Sequence, residues 1–318
     1  MTQDAAAMGE LGERLLQGDG GPPDLPRAAE LIHRAAALGD PGATHRSAVL
    51  TAVGLGCAQS WDAALDLLQR SAELGWSLAQ AQMRLLGEDD EADADANLWG
   101  RLRARIDPAA WTTPPAKRVL SQHPRIRAAE AVASKAVCDW IIARGRDRLA
   151  PARVYDSATG GPAVENERNN REAELDLART DLAVLLLQAR IAAATGLPFR
   201  QMEHPNLLHY RVGQRFARHV DYLDPTAPGF AQEIALKGQR VATFLLYLNE
   251  GFEGGETDFP IIGLRHKGGT GDAMFFANVD ESSAPDRRTL HAGLPPTRGE
   301  KWLFSQFIRG PSVGLSGA

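Results

Sequence analysis

The sequence predicts a multidomain α + β protein, an N-terminal α-helical repeat solenoid followed by a β-sandwich or barrel. Three observations lead there. An apolar pattern with helical spacing recurs at a shift of 36 residues between about Met8 and Leu86. From about Asn206 onward, short β-branched and aromatic runs alternate with Gly and Pro turns. A chain of 318 residues with 44% hydrophobic content is long enough for two cores.

In the first half, Arg34 aligns with Arg70, Leu38 with Leu74, Gly39 with Gly75 and Ala43 with Ala79, and the same shift carries Ala7 to Ala43 and Gly18 to Gly54. Small residues at contact positions of a helical pattern predict stacked helix pairs. The unit resembles Sel1-type repeats, relatives of tetratricopeptide repeats, and residues 1–100 are expected to form this domain. An acidic run, Glu88 to Asp95, reads as a solvated linker or helix start. Residues 101–124, with Pro108, Pro114, Pro115 and Pro124, read as the linker into the second half, expected over 125–312.

Next come two helical patterns, Ala131 to Arg148 and Leu175 to Thr195, the second closed by Gly196 and Pro198. The polar stretch Ala152 to Asn170 between them reads as a lid. Strands follow at Asn206–Val212, at Val241–Asn249 (apolar enough to be buried on both faces), at Ala273–Ala277 and at Trp302–Ile308. A jelly roll is the form of such a domain that carries a metal in its mouth.

A metal is indicated by His219-Val220-Asp221, with His291 and then Lys301 downstream. On a strand, residues i and i+2 share a face, so His219 and Asp221 can reach one ion. Two imidazoles and one carboxylate suit a ferrous ion that keeps coordination positions open. By itself a His-x-Asp pair is also an ordinary surface feature. The flanking residues give it weight.

Tyr210 through Phe216, His219-Val220-Asp221, Gly238-Gln239-Arg240, Leu245 through Asn249, Gly254-Gly255-Glu256-Thr257, Gly271 through Phe276, Leu290-His291-Ala292-Gly293 and Gly299 through Trp302 follow one another in a fixed order. From about His204 to Arg309 this order resembles the catalytic domain of the prolyl 4-hydroxylase group of Fe(II)/2-oxoglutarate dioxygenases. The resemblance implies a double-stranded β-helix (jelly roll) with flanking helices, and iron held by His219, Asp221 and His291. It implies that 2-oxoglutarate is bound through Lys301, with Tyr210 and Thr257 beside it, and it adds ascorbate as a further expected ligand. Arg240 and Arg168 become candidate substrate contacts. Read alone, Lys301 is also a solvated strand end, Tyr210 a core tyrosine, Thr257 a turn cap and Arg168 a surface arginine. On the substrate side the family often has tryptophan where this chain has Phe307, and Arg309 stands where the family has histidine or arginine. Halogenating members of the wider superfamily lack the carboxylate that Asp221 supplies here.

The implied reaction hydroxylates an unactivated C–H bond, that of a prolyl residue in a peptide or protein, consuming O2 and releasing succinate and CO2. Alternatives are a free amino acid or small peptide natural product as acceptor, or a repeat scaffold with an inactive barrel. The resemblance also raises the expectation that the repeats hold the peptide. A net charge of −5 gives no electrostatic reason for nucleic-acid binding. No apolar run is long enough to span a bilayer, and Met1 to Leu16 is too acidic for a signal peptide. Cys57 and Cys138 are expected to be buried free thiols on helices, in a cytoplasmic protein.

Overall fold

The computed structural model describes residues 4–89, 97–152, 154–155, 162–163 and 168–312. Two compact units emerge: Met1–Thr113 with Asp176–Ala189, and Pro114–Leu175 with Arg190–Ala318.

In the first unit the helices are Ala5–Gln17, Leu25–Ala37, Pro41–Val53, Trp61–Glu73, Ser77–Leu86 and Leu98–Arg105. Starts at 5, 41 and 77, and at 25 and 61, reproduce the 36-residue period as a helix pair. The same local chemistry repeats with them. Asp4, Asp24, Asp40 and Ser60 each accept a hydrogen bond from the amide three residues on, satisfying an otherwise orphaned donor. Gly18 and Gly54, one repeat apart, end two helices at φ +71° and +74°, where a side chain would be strained. Between the helices Leu16, Ala28, Ala29, Ile32 and Leu50 form an apolar cluster on which Leu177 and Ala178 pack.

Ordered structure occupies the segment expected as a linker. Helix Leu98–Arg105 stays with the repeats because Arg103 donates to Asp62 (2.9 Å) and Asp66 (2.7 Å) of Trp61–Glu73. Asp107 then caps the short helix Pro108–Thr112, and Arg118–Ser121 is already a strand.

The second unit contains an eight-stranded and a four-stranded antiparallel sheet. The larger runs Arg118–Ser121, Ile126–Ala129, Ala273–Ala277, Arg240–Tyr247, Lys301–Arg309, Asn206–Tyr210, Arg171–Glu174, Ala150–Pro151. The smaller runs Leu264–His266, Thr257–Phe259, His291–Gly293, Phe216–His219. Tyr247, Met274, Phe276 and Leu303 of the first meet Phe259 of the second in one core, with Phe259 edge-on to Phe276 at 5.1 Å. Two facing antiparallel sheets, which form no closed barrel among the described residues, agree with the jelly roll.

The sequence reading passed over the short strands, among them Arg118–Ser121, Ile126–Ala129 and Arg171–Glu174. These three are four residues long and others, such as Thr257–Phe259 and Leu264–His266, only three, too short for alternation to stand out. Both flanking helices begin later than expected, at Lys135 and Leu182, because Ser134 and Asp181 accept from Val137 and Val184 as N-caps. Cys138 is buried, but Cys57 is exposed in the turn after Pro41–Val53. Most of the expected lid and of the acidic run lies outside the described residues. Among the described residues no helix is long and apolar enough to cross a membrane.

Candidate metal centre

His219 ends one strand of the smaller sheet and His291 begins its neighbour, and the two are register partners. Asp221 follows two residues later, where the chain has left the strand. The three side chains place their ligand atoms within 4.8 Å of one another. Asp221 Oδ1 lies 3.3 Å from His219 Nε2, and Oδ2 lies 3.6 Å from His291 Nε2.

Each histidine is already oriented. Nδ1 of His219 donates to the carbonyl of Ala217 (2.8 Å) and Nδ1 of His291 to that of Thr289 (2.9 Å). Both Nε2 atoms are therefore left as acceptors toward the same point. Phe216 stacks on His219 at 3.5 Å, and Phe259 and Phe276 flank His291 at 5.3 and 4.9 Å. Burial pulls His291 down to about 4, so its imidazole is neutral and free to ligate. Burial alone would raise Asp221, but His291, His219 and a hydrogen bond from Thr243 outweigh it and hold the carboxyl well below the usual range. Two imidazoles with their Nε2 atoms turned inward and a fixed carboxylate fit Fe(II).

Behind the triad runs a support absent from the sequence reading. Asn278 Nδ2 donates to Thr243 Oγ1 (2.9 Å), and Thr243 Oγ1 donates to Asp221 Oδ2 (2.7 Å). Register puts them there, since Thr243 pairs with Phe276 in the larger sheet, two residues from Asn278. Thr243→Val keeps the shape and removes the donor, so Fe(II) affinity is expected to drop about 10–100-fold. Equilibrium dialysis would show it, and an unchanged affinity would remove Thr243 from the site.

Lys301 begins the long central strand opposite Tyr210 and is fully buried. Its ammonium donates to the carbonyl of Gly255 (2.7 Å) and lies 5.1 Å from the Tyr210 ring. Burial lowers its pKa to about 7, opposed by Glu256, and pushes the Tyr210 hydroxyl up to about 12. Gly255 sits at φ +71°, and a Cβ there would come within 2.9 Å of Phe252 and 3.3 Å of the lysine stem. Only glycine lets that carbonyl approach the ammonium so closely. Thr257, also buried, shares a 3.2 Å hydrogen bond with the Tyr247 hydroxyl.

One cavity of about 800 Å³ is lined by the triad, Lys301, Tyr210, Thr257, Arg168 and Arg240, the eight residues expected from sequence to bind metal, co-substrate or substrate. Both arginines carry acid partners. Arg240 forms a two-pronged pair with Glu203 (2.7 and 2.9 Å) over the Phe307 ring at 4.0 Å. Arg168 donates to Glu172 (2.6 Å) and Asn170 (3.1 Å) with its guanidinium 4.4 Å from the Phe216 ring. Glu203, missed from sequence, also meets Arg309, which in turn binds Glu233, each at 2.5 Å. Glu203, His204, Leu223, Phe230 and Arg240 also line a second cavity of about 590 Å³.

Residues 205–309 match the family profile described as 2OG-Fe(II) oxygenase superfamily. A relative from Arabidopsis thaliana, probable prolyl 4-hydroxylase 9, is 32% identical over 211 residues, which are 60% of this chain and 71% of the relative. Among solved structures, the 2-oxoglutarate complex of viral collagen prolyl hydroxylase from Paramecium bursaria Chlorella virus-1 has 26% identity, 58% coverage of this chain, 96% of its own and a TM-score of 0.45. A Sel1 repeat protein from Oxalobacter formigenes is 29% identical, covering 26% of this chain and 24% of its own, with a TM-score of 0.24.

Proposed function

This chain belongs to the prolyl 4-hydroxylase family of Fe(II)- and 2-oxoglutarate-dependent oxygenases, and on that premise we propose that it hydroxylates a prolyl residue within a peptide or protein. One observation carries the reading: a pre-aimed His-Asp-His set and a buried lysine line the same cavity. His219, Asp221 and His291 hold Fe(II), and Lys301 with Tyr210 and Thr257 receives the distal carboxylate of 2-oxoglutarate. With O2, the bound iron and 2-oxoglutarate supply the oxidant that hydroxylates the C–H bond, leaving succinate and CO2.

The protein's own part is electrostatic and steric. The carbonyls of Ala217 and Thr289 fix the imidazole tautomers, and Thr243 fixes the carboxylate. An arriving carboxylate raises the lysine's proton affinity, so Lys301 meets it as an ammonium. The phenylalanines around the histidines exclude water from the centre.

Two features favour a peptide over a free amino acid. Arg168 and Arg240 are already neutralised by Glu172 and Glu203, so neither is an open anchor for a free carboxylate. The neutral main chain of a peptide requires no such anchor. The metal cavity also shares wall residues with a second cavity, giving room for residues flanking the target.

Anaerobic addition of Fe(II) and then 2-oxoglutarate should produce a metal-to-2-oxoglutarate charge-transfer band. Proline-containing peptides should then gain one oxygen by mass, with matching succinate release. Hydroxylation of free proline with peptides left untouched would favour the small-molecule acceptor, and absence of the band would favour the inactive scaffold.

A further inference from the structure

By sequence, residues 176–189 lie between two strands of the larger sheet, Arg171–Glu174 and Asn206–Tyr210. By packing they belong to the helical repeats.

Arg46, in the helix Pro41–Val53, is the centre of the contact. Its Nε donates to Glu13 (2.6 Å), a residue of the preceding repeat, and this pair sets the plane of the guanidinium. The two terminal nitrogens then donate to three main-chain carbonyls of one short stretch. Nη2 reaches Ala178 (2.7 Å), while Nη1 reaches Leu177 (3.2 Å) and Thr180 (3.4 Å). Five donors in a rigid fork suit such a task, and a lysine could not cover three acceptors with the same geometry.

Next along the chain, Gln82 of Ser77–Leu86 accepts from the amide of Leu182 at 3.1 Å, where the helix Leu182–Thr195 begins. Its side-chain nitrogen donates to the buried His45 Nε2 (2.7 Å), which fixes the amide's orientation. Leu177 and Ala178 meanwhile pack on the apolar cluster of Leu16, Ala28, Ala29, Ile32 and Leu50. Main-chain carbonyls, a helix start and small apolar side chains are thus each read by a different element of the repeats. This is how a groove recognises a peptide.

We infer that the repeat unit is a peptide-binding module whose ligand is residues 176–189 of its own chain, with Arg46 as the recognising residue. The face carrying Glu13, Arg46 and Gln82 is therefore committed in cis and is not the platform that holds the acceptor.

Hydrogen exchange on the full-length protein tests this without any activity. In the wild type, the amides of Arg179 and Thr180, which donate to the Asp176 carbonyl, and of Leu182, which donates to Gln82, should exchange as slowly as those of the helix Pro41–Val53, although 176–181 form no helix or strand. Fast exchange at these amides, at the rate of an exposed loop, would overturn the inference. Arg46→Met should accelerate their exchange by at least tenfold, with Arg46→Lys intermediate, while amides of Arg240–Tyr247 and the Fe(II)–2-oxoglutarate band keep their wild-type behaviour. Equal protection in wild type and both variants would exclude Arg46 as the recognising residue. If Arg46→Met fails to fold, the wild-type measurement and Arg46→Lys still decide the question.

Discussion

Asp221→Ala is expected to bind Fe(II) more weakly by well over the roughly 10–100-fold typical of losing an outer-shell partner, and to lose 2-oxoglutarate turnover with it. The carboxylate is the one anionic donor among the residues that could hold the ion, and both imidazoles face it at 3.3 and 3.6 Å. Without it, two neutral ligands remain and the hydroxyl of Thr243 loses its acceptor, which costs about 1–3 kcal/mol as an unsatisfied buried group. A lower thermal midpoint should therefore accompany the loss of metal. Equilibrium dialysis and anaerobic spectroscopy on the same preparation would check both. Retained turnover at wild-type iron affinity would remove Asp221 from the centre.

Lys301→Met should move activity and stability in opposite directions. Truncating one partner of a buried charge pair costs about 2–5 kcal/mol, so 2-oxoglutarate should bind about 30- to 5,000-fold more weakly. The ligand-free protein should instead become more stable. Folding takes the ammonium from water to a fully buried position and lowers its pKa from 10.5 to about 7. Because the unfolded chain holds the proton more tightly, stability falls as pH drops from 10.5 toward 7, and below that the penalty is present in full. Its ceiling, from a difference of 3.5 units (10.5 − 7), is ~5 kcal/mol. The variant should therefore melt above the wild type at pH 7, and the gap should close toward pH 10.5. Saturating 2-oxoglutarate should stabilise only the wild type. A variant that melts lower at pH 7, with unchanged 2-oxoglutarate affinity, would make Lys301 a packing residue.

The grouping of the triad with Lys301 was legible from the ordered motifs around them; the strand spacing expected of His219 and Asp221 is only half realised, since the strand ends at His219 and Asp221 reaches the site from the loop beyond. The repeats were legible for a similar reason, since a fixed shift of 36 residues survives substitution. Whatever depends on register was hidden. Thr243 and Asn278 look like any polar residues until pairing of Arg240–Tyr247 with Ala273–Ala277 brings them to Asp221. Glu203 carries no signal in the sequence and becomes the partner of two arginines only in the fold. The segment from Asp176 was assigned with the strands beside it because an apolar helix shows that it is buried, but not against what.

That last segment also sets a timetable for the chain as it is made. The repeats leave the ribosome first, but their unit lacks its final piece until Asp176–Ala189 has been synthesised. The intervening stretch from Pro114 to Leu175 takes roughly 3–12 s at bacterial to eukaryotic elongation rates of about 5–20 residues per second. For that interval the cluster of Leu16, Ile32 and Leu50 lacks the cover of Leu177 and Ala178, and Arg46 has Glu13 but not the three carbonyls. A gene fusion that ended the chain before residue 176 would leave the repeats without that cover permanently.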